Sequence, residues 1–247
     1  MWSELRALRD GIDLGTPPRD GDPVTLSVDG VPVVVASGSS VLLAAGLAGC
    51  TVPKLCASDT LEAFGSCRVC LVEIEGRRGY PASCTTPVDE GMQVRTSSDM
   101  LAKLRRGVIE LYLSDFPEGD IDGGWSQLND TLDQVGVHRL ADDHPYRSGA
   151  NHQSGVLDMS NPYFVFDQAK CIVCSRCVRA CEEIQGTFAL TIGGRGFDST
   201  VVAGQNESFL DSDCVSCGAC VQACPSDALI EKSLFPGGYE RADSRQA

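Results

Sequence analysis

Twelve of the thirteen cysteines in this 247-residue chain fall into sets whose spacing suits iron–thiolate chemistry. Cys171, Cys174, Cys177 and Cys181 form a C-x2-C-x2-C-x3-C run, and Cys214, Cys217, Cys220 and Cys224 repeat it at a constant offset of 43 positions. Three thiolates on one tight loop reach three corners of a cubane, while the fourth comes from elsewhere in the chain. The repeat predicts two equivalent [4Fe-4S] centres. In two-cluster ferredoxins the fourth cysteine of each run serves the other cluster, so the expected sets are Cys171, Cys174, Cys177 with Cys224, and Cys214, Cys217, Cys220 with Cys181. Cys224 is followed by the proline of the bacterial signature, whereas Cys181 is followed by Glu182. Zinc also accepts four thiolates, but its sites come as separated C-x2-C pairs and not as packed triplets.

Cys56, Cys67, Cys70 and Cys84 give C-x10-C-x2-C-x13-C, a plant-type [2Fe-2S] pattern with a longer first loop. Soft thiolates suit iron, and the stretch GSCRVC puts Gly65 where backbone amides can approach cluster sulfurs. Zinc is a closer rival for this set than for the other two. Cys50 fits no set and reads as a small buried hydrophobe. His138, His144 and His152 lie in polar surroundings without a nearby cysteine and are assigned no role. Arg176, Arg179 and Arg195 flank the cubane runs, where pairing with Glu182 and Glu183 is the plainer reading than tuning of the clusters.

These residues need elements to hold them. Val24 to Ala36 reads as two β-rich runs around Asp29-Gly30, a hairpin signal. Ser39 or Ser40 can cap a helix over Val41 to Ala48, and Leu71 to Ile74 and Met92 to Arg95 read as further strands. A hairpin, a crossing helix and later strands suggest a small sheet of the ferredoxin β-grasp kind. Ser98 to Leu113 reads as a helix packed on this domain, with Leu101, Leu104, Val108 and Leu111 on one face. Residues 115–160 are acidic, Gly-rich and turn-prone, and read as a linker or docking loop.

The expected architecture is α+β: an N-terminal extension (1–21), a [2Fe-2S] ferredoxin-like domain (22–97), a helix and acidic linker (98–160), a bacterial ferredoxin-like domain with two [4Fe-4S] clusters (161–235), and a tail (236–247). The formal net charge of −14, from 34 acidic and 20 basic residues, argues against nucleic acid as a partner. MWSELRALRDGIDLG has no apolar export core, and the longest apolar run, Val41 to Cys50, is too short for a membrane span. Thiols at this density without an export signal point to the cytoplasm.

The stretches TVPKLCASDTLEAFGSCRVCLVEIEGRRGYPASCTTPV, NPYFVFDQAKCIVCSRCVRACEEIQGTFALTIGGRGFDS and SDCVSCGACVQACPSDALIEK resemble the N-terminal iron–sulfur region of the molybdenum- or tungsten-dependent, NAD-linked formate dehydrogenase α subunit. The resemblance runs from about residue 22 to 235 and extends, more distantly, to iron–sulfur subunits of NAD-reducing hydrogenases and of respiratory complex I. It implies the same cluster ligands as the spacing. It also implies a further [4Fe-4S] cluster held by a histidine and three cysteines, but Phe116 stands where the histidine would be and no cysteine follows until Cys171. The pterin-binding catalytic domain that follows in this family is expected on another polypeptide.

No P-loop, dinucleotide fingerprint or nucleophile elbow is present, so no catalytic residue is expected. The expected role is an electron-transfer subunit of a cytoplasmic oxidoreductase, with a formate dehydrogenase or hydrogenase catalytic chain as partner and a flavin NAD(P)H-binding chain as second neighbour. A redox-sensing or assembly module is the alternative from another class.

Overall fold

The computed structural model describes residues 13–117, 126–148 and 156–235. The chain divides into two compact units, the first ending at Ile109 and the second beginning at Glu110.

In the first unit, β1 (Pro23–Val28) and β2 (Val31–Ala36) pair antiparallel, from Val28 opposite Val31 out to Pro23 opposite Ala36. Asp29 and Gly30 turn the chain at φ 49° and 83°. Both central residues in the left-handed region is what a tight two-residue turn on twisted strands requires, and Gly30 adopts it without steric cost. The apolar alternation puts Leu26, Val28 and Val35 inside. Helix α1 (Val41–Leu47) crosses this face, burying Val41 to Ala45, and Ser40 is its cap, with its Oγ accepting from Leu43 N at 3.0 Å. Strands β3 (Glu73–Ile74) and β4 (Gln93–Arg95) complete a sheet of order β2-β1-β4-β3, in which β4 runs parallel to β1. The expected strand from Leu71 begins only at Glu73, and Leu71 instead forms an isolated bridge to Ala82.

Helix α2 (Asp99–Leu113) starts where expected, with Leu101 N donating to Ser98 Oγ at 3.2 Å. Its buried stripe differs from the expected one. Leu101, Ile109 and Leu113 are buried, Leu104 and Val108 are half-buried, and Leu111 is exposed. Leu101, Ile109 and Leu113 repeat every four residues, and Arg105 occupies the remaining position of that row.

Part of the segment read as a linker is folded. Helix α3 (Gln127–Val135) is capped by Ser126 at one end and closed at the other by Gly136 at φ 71°, and it buries Leu128, Thr131 and Leu132. Leu128 N donates to Pro225 O at 2.8 Å, which ties α3 directly to the second cubane run. The rest of the expected docking loop lies largely outside the described residues. Strands β5 (Leu157–Asp158), β6 (Phe164–Asp167) and β9 (Leu229–Glu231) form one antiparallel sheet of this unit, and β7 (Leu190–Gly193) with β8 (Thr200–Ala203) forms a second. Between them lie two short helices, α4 (Arg176–Arg179), which runs on into a π-helical turn over Ala180–Gln185, and α5 (Ala219–Ala223). Among the described residues no helix is long and apolar enough to cross a membrane.

The cap generates a test of the first unit. Ser40→Ala removes the acceptor for Leu43 N and the partner of Thr16 Oγ1 at 2.7 Å. The expected loss is about 1–2 kcal/mol of stability, read by denaturant unfolding.

Candidate metal centres

The four cysteines of the first set are all buried: Cys56, Cys67, Cys70 and Cys84. They come from the long stretch between α1 and β4, which has little regular structure because its backbone is shaped around the sulfurs. Gly65 at φ 73° and Arg68 at φ 57° make the sharp turns on either side of Cys67. A Cβ on Gly65 would come within 3.0 Å of Thr85 Cγ2, so this glycine answers both a left-handed backbone and a close approach. Cys67 N donates to Cys56 Sγ at 3.5 Å. Ser83 fixes the Cys70 carbonyl twice, from its amide at 2.9 Å and from its hydroxyl at 2.8 Å.

The sulfurs of this set sit close enough to share charge. Hydrogen bonds from Cys67, then Cys84, hold the Cys56 thiol well below the ordinary thiol range, and the Cys84 thiol brings Cys70 down to about 7 against its burial. Their partners move the other way: the facing Cys56 pushes up both Cys67 and Cys84. Four thiolates therefore cannot coexist here without a cation among them.

Two small pockets lie among the described residues of the second unit. One is lined by Cys171, Cys174, Cys177 and Cys224 among apolar residues including Phe166, Val201 and Leu229. The other is lined by Cys181, Cys214, Cys217 and Cys220 with Phe164, Leu190 and Phe209. Each lining gathers three cysteines of one run and the fourth cysteine of the other. Their linings repeat at the sequence offset: Ile172 and Ser175 in the first answer to Val215 and Gly218 in the second. The backbone repeats as well. Val173 and Ser175 are at φ 51° and 64°, and their counterparts Ser216 and Gly218 are at φ 57° and 78°. Non-glycine residues held in this region mark a loop whose shape is imposed by a function. The turn points amides at sulfur, as where Ser216 N donates to Cys214 Sγ at 3.4 Å, and Leu229 N reaches Cys224 Sγ at the same distance.

Burial dominates the chemistry of these thiols. It pushes Cys171 up to about 11, Cys174 and Cys220 up to about 12, and Cys177 well above the ordinary value. Left to themselves they are neutral thiols, and iron is what makes thiolates stable there. Among the described residues no three or more His, Cys, Asp or Glu groups converge as closely as a single ion requires. Each cubane set instead lines a pocket of its own. The donor chemistry and the two cavities therefore fit iron–sulfur clusters.

Other expectations fare differently. Cys50 is half-buried against the first core. His138 is exposed, with Nδ1 3.6 Å from Asp133. His144 is not a solvated loop histidine: its side chain is 18% exposed, lies edge-on to Tyr146, and places Nε2 3.6 Å from Glu110. His152 lies outside the described residues. Arg176 and Arg179 are buried, and Arg176 donates to Gln127 Oε1 of α3, while Glu182 and Glu183 are exposed. Arg195 is exposed.

A two-part ferredoxin-type protein is the class that this fold and these sites define. Residues 21–99 match the 2Fe-2S iron-sulfur cluster binding domain family, and residues 170–228 match the 4Fe-4S dicluster domain family. The chain thus carries one [2Fe-2S] and two [4Fe-4S] clusters. Over 218 residues it is 35% identical to the NADP-reducing hydrogenase subunit HndD of Solidesulfovibrio fructosivorans, covering 84% of this chain and 36% of that protein. It is 33% identical over 213 residues to the mitochondrial NADH-ubiquinone oxidoreductase 78 kDa subunit of Candida albicans, covering 85% of this chain and 28% of the other. The chain therefore spans well under half the length of these curated relatives. A chain in the crystal structure of an NAD+-reducing [NiFe]-hydrogenase matches at nearly full length, with TM-score 0.72, 30% identity, and coverage of 87% of this chain and 91% of that one. The protein belongs to the iron–sulfur subunit family shared by NADH-quinone oxidoreductases and NAD-reducing hydrogenases.

The first site yields a further test. Gly65→Ala forces a side chain into the left-handed region and against Thr85. It is expected to cost about 1–2 kcal/mol from the backbone alone, with faster loss of the [2Fe-2S] absorbance in denaturant.

Proposed function

We propose that the chain relays single electrons within an NAD(P)-linked oxidoreductase. In this reading Cys56, Cys67, Cys70 and Cys84 hold the [2Fe-2S] cluster. Cys171, Cys174, Cys177 and Cys224 hold one [4Fe-4S] cluster, and Cys181, Cys214, Cys217 and Cys220 hold the other. When bound, these groups supply reversible one-electron chemistry without a bond to any metabolite. The observation that carries the reading is the pair of neighbouring four-cysteine cavities. Cys177 of one set and Cys181 and Cys220 of the other pack into one hydrophobic core, so the two sites are neighbours.

The residues of the chain divide the remaining work. Apolar walls at Phe164, Phe166 and Leu229 exclude water, and the amides of Ser216 and Leu229 donate to sulfur and favour added negative charge. Cys217 is exposed, unlike the other eleven proposed ligands, and Val215 of the same lining presents 57% of its surface. This edge is where a partner can approach the second cubane.

The catalytic chemistry then belongs to another domain or chain. The relatives named above are hydrogenases and an NADH oxidoreductase, which supports a hydrogenase-type partner over the formate dehydrogenase type that the residues resemble. A flavin chain handling NAD(P)H is the second neighbour in either case. Hydrogen-dependent reduction of the clusters in a copurified complex is the expected result. Formate-dependent reduction alone would reinstate the other partner, and a tagged protein that copurifies with no oxidoreductase chain would reject the relay.

Anaerobically purified protein is expected to contain about ten irons per chain. Cys67→Ser is expected to remove the [2Fe-2S] electron paramagnetic resonance signal and leave both cubane signals, because the ligand sets are separate. Simultaneous loss of all three signals would contradict the assignment.

A further inference from the structure

Within the first unit, α2 carries one charged residue in its buried row. Arg105 is flanked by Leu101 four residues before and Ile109 four residues after, both fully buried. Its Nη2 donates to Leu71 O at 2.7 Å and to Thr96 O at 2.9 Å. Its Nε is shut off from solvent and finds no hydrogen-bond partner among the described residues. Neutral carbonyls satisfy part of the guanidinium and cancel none of its charge. The nearby negative groups are Cys70, whose carboxyl-side neighbour is Leu71, and Asp29. Asp29 is already engaged, accepting from Thr96 N at 2.8 Å and from Thr96 Oγ1.

Arg105 is half-buried, and shutting even its Nε away from water without a partner carries a cost. Arginine stays charged at every accessible pH, and on its enclosed side the field reaching Cys70 is screened less than in open solvent. Reduction of the [2Fe-2S] site adds one negative charge on the sulfur side of that field. The reduced form gains more from the cation than the oxidised form does.

We infer that Arg105 is a positioning residue that sets the reduction potential of the [2Fe-2S] site, its guanidinium holding that potential above the value the four cysteines alone would give. This rests on the reading of Cys70 as a cluster ligand. It assigns to the chain a residue outside the cysteine motifs that tunes one centre and leaves the other two alone.

The test is a redox titration of the full-length, anaerobically purified protein, following the [2Fe-2S] and cubane signals separately by electron paramagnetic resonance. Arg105→Gln keeps amide donors for Leu71 and Thr96 but drops the charge, Arg105→Met drops both, and Arg105→Lys keeps the charge. The expected result is a lowered [2Fe-2S] midpoint in the Gln and Met variants, a midpoint near the parent's in the Lys variant, and unmoved cubane midpoints in all three. An unshifted midpoint in Arg105→Gln with a full cluster would overturn the inference, as would a Lys variant that falls as far as Gln. Loss of the cluster from both neutral variants would overturn it too, since Arg105 would then be needed to build the site and not to tune it. A parent protein with no [2Fe-2S] signal would instead sink the ligand reading itself.

Discussion

Sulfur charge held away from water is the constraint to which the rest of this structure answers. Most of the grouped cysteines are buried, and burial alone drives the cubane thiols toward their neutral forms. A thiolate in such a place persists only against a cation or a fan of donors. The fold supplies the donors from its backbone, which explains why the loops that carry the cysteines depart from regular secondary structure where they do. Arg68, Val173, Ser175 and Ser216 all sit in the left-handed region. Each would relax in a free peptide, and each keeps its strained backbone because neighbouring cysteines fix the chain on both sides.

The same constraint accounts for the architecture around the sites. Small domains with long irregular loops bury limited apolar surface, so their stability depends on a few elements of good local chemistry. In the first unit these are the Asp29-Gly30 turn and the capped helix α1, which together buttress the face behind the cysteine loop. In the second unit the core is built partly from the cysteines themselves, with Cys177, Cys181 and Cys220 packed among Phe164, Phe166 and Phe209. The two phenylalanines of β6 meet Phe209 edge-on at 5.1 and 5.9 Å. Metal binding and core formation are one process there, because the same side chains serve both.

How far this was legible in the sequence depended on whether a feature had a local cause. The hairpin was legible because Asp-Gly is chemically suited to two left-handed residues, and the likeness of the two cysteine loops because a repeat at a fixed offset carries its own geometry. Helix α3 was not. QLNDTLDQV offers only Leu128, Leu132 and Val135 as apolar positions in an acidic stretch, and what holds it is tertiary, through Pro225 O and Arg176. The buried face of α2 was misread because Leu101, Leu104, Val108 and Leu111 satisfy a helical period as well as the true row does. Arg105 lies on that true row, so choosing the more apolar stripe hid a half-buried cation beside the first site. A charged side chain interrupting a row of otherwise buried positions was the available signal.

The two halves of the repeat also show how one residue can break a symmetry that function leaves free. After Cys224, Pro225 cannot donate a helical hydrogen bond, and α5 ends with Cys224 in extended backbone. After Cys181 the residue is Glu182, no such stop exists, and the chain continues in a π-helical turn to Gly186 at φ 71°. A π turn widens the helix by one residue and re-aims the side chains on it. Cys181 is thereby turned toward the cavity of the other run while its helix continues past it, whereas Cys224 makes the equivalent crossing from the point where its helix stops. The carbonyl of Pro225 is left free of any helix and accepts from Leu128 N, so the stop in one half of the repeat is also the anchor for α3. Replacing Pro225 would therefore act on two elements at once, the end of α5 and the backbone anchor of α3, whereas the other half reaches α3 only by a side chain, that of Arg176.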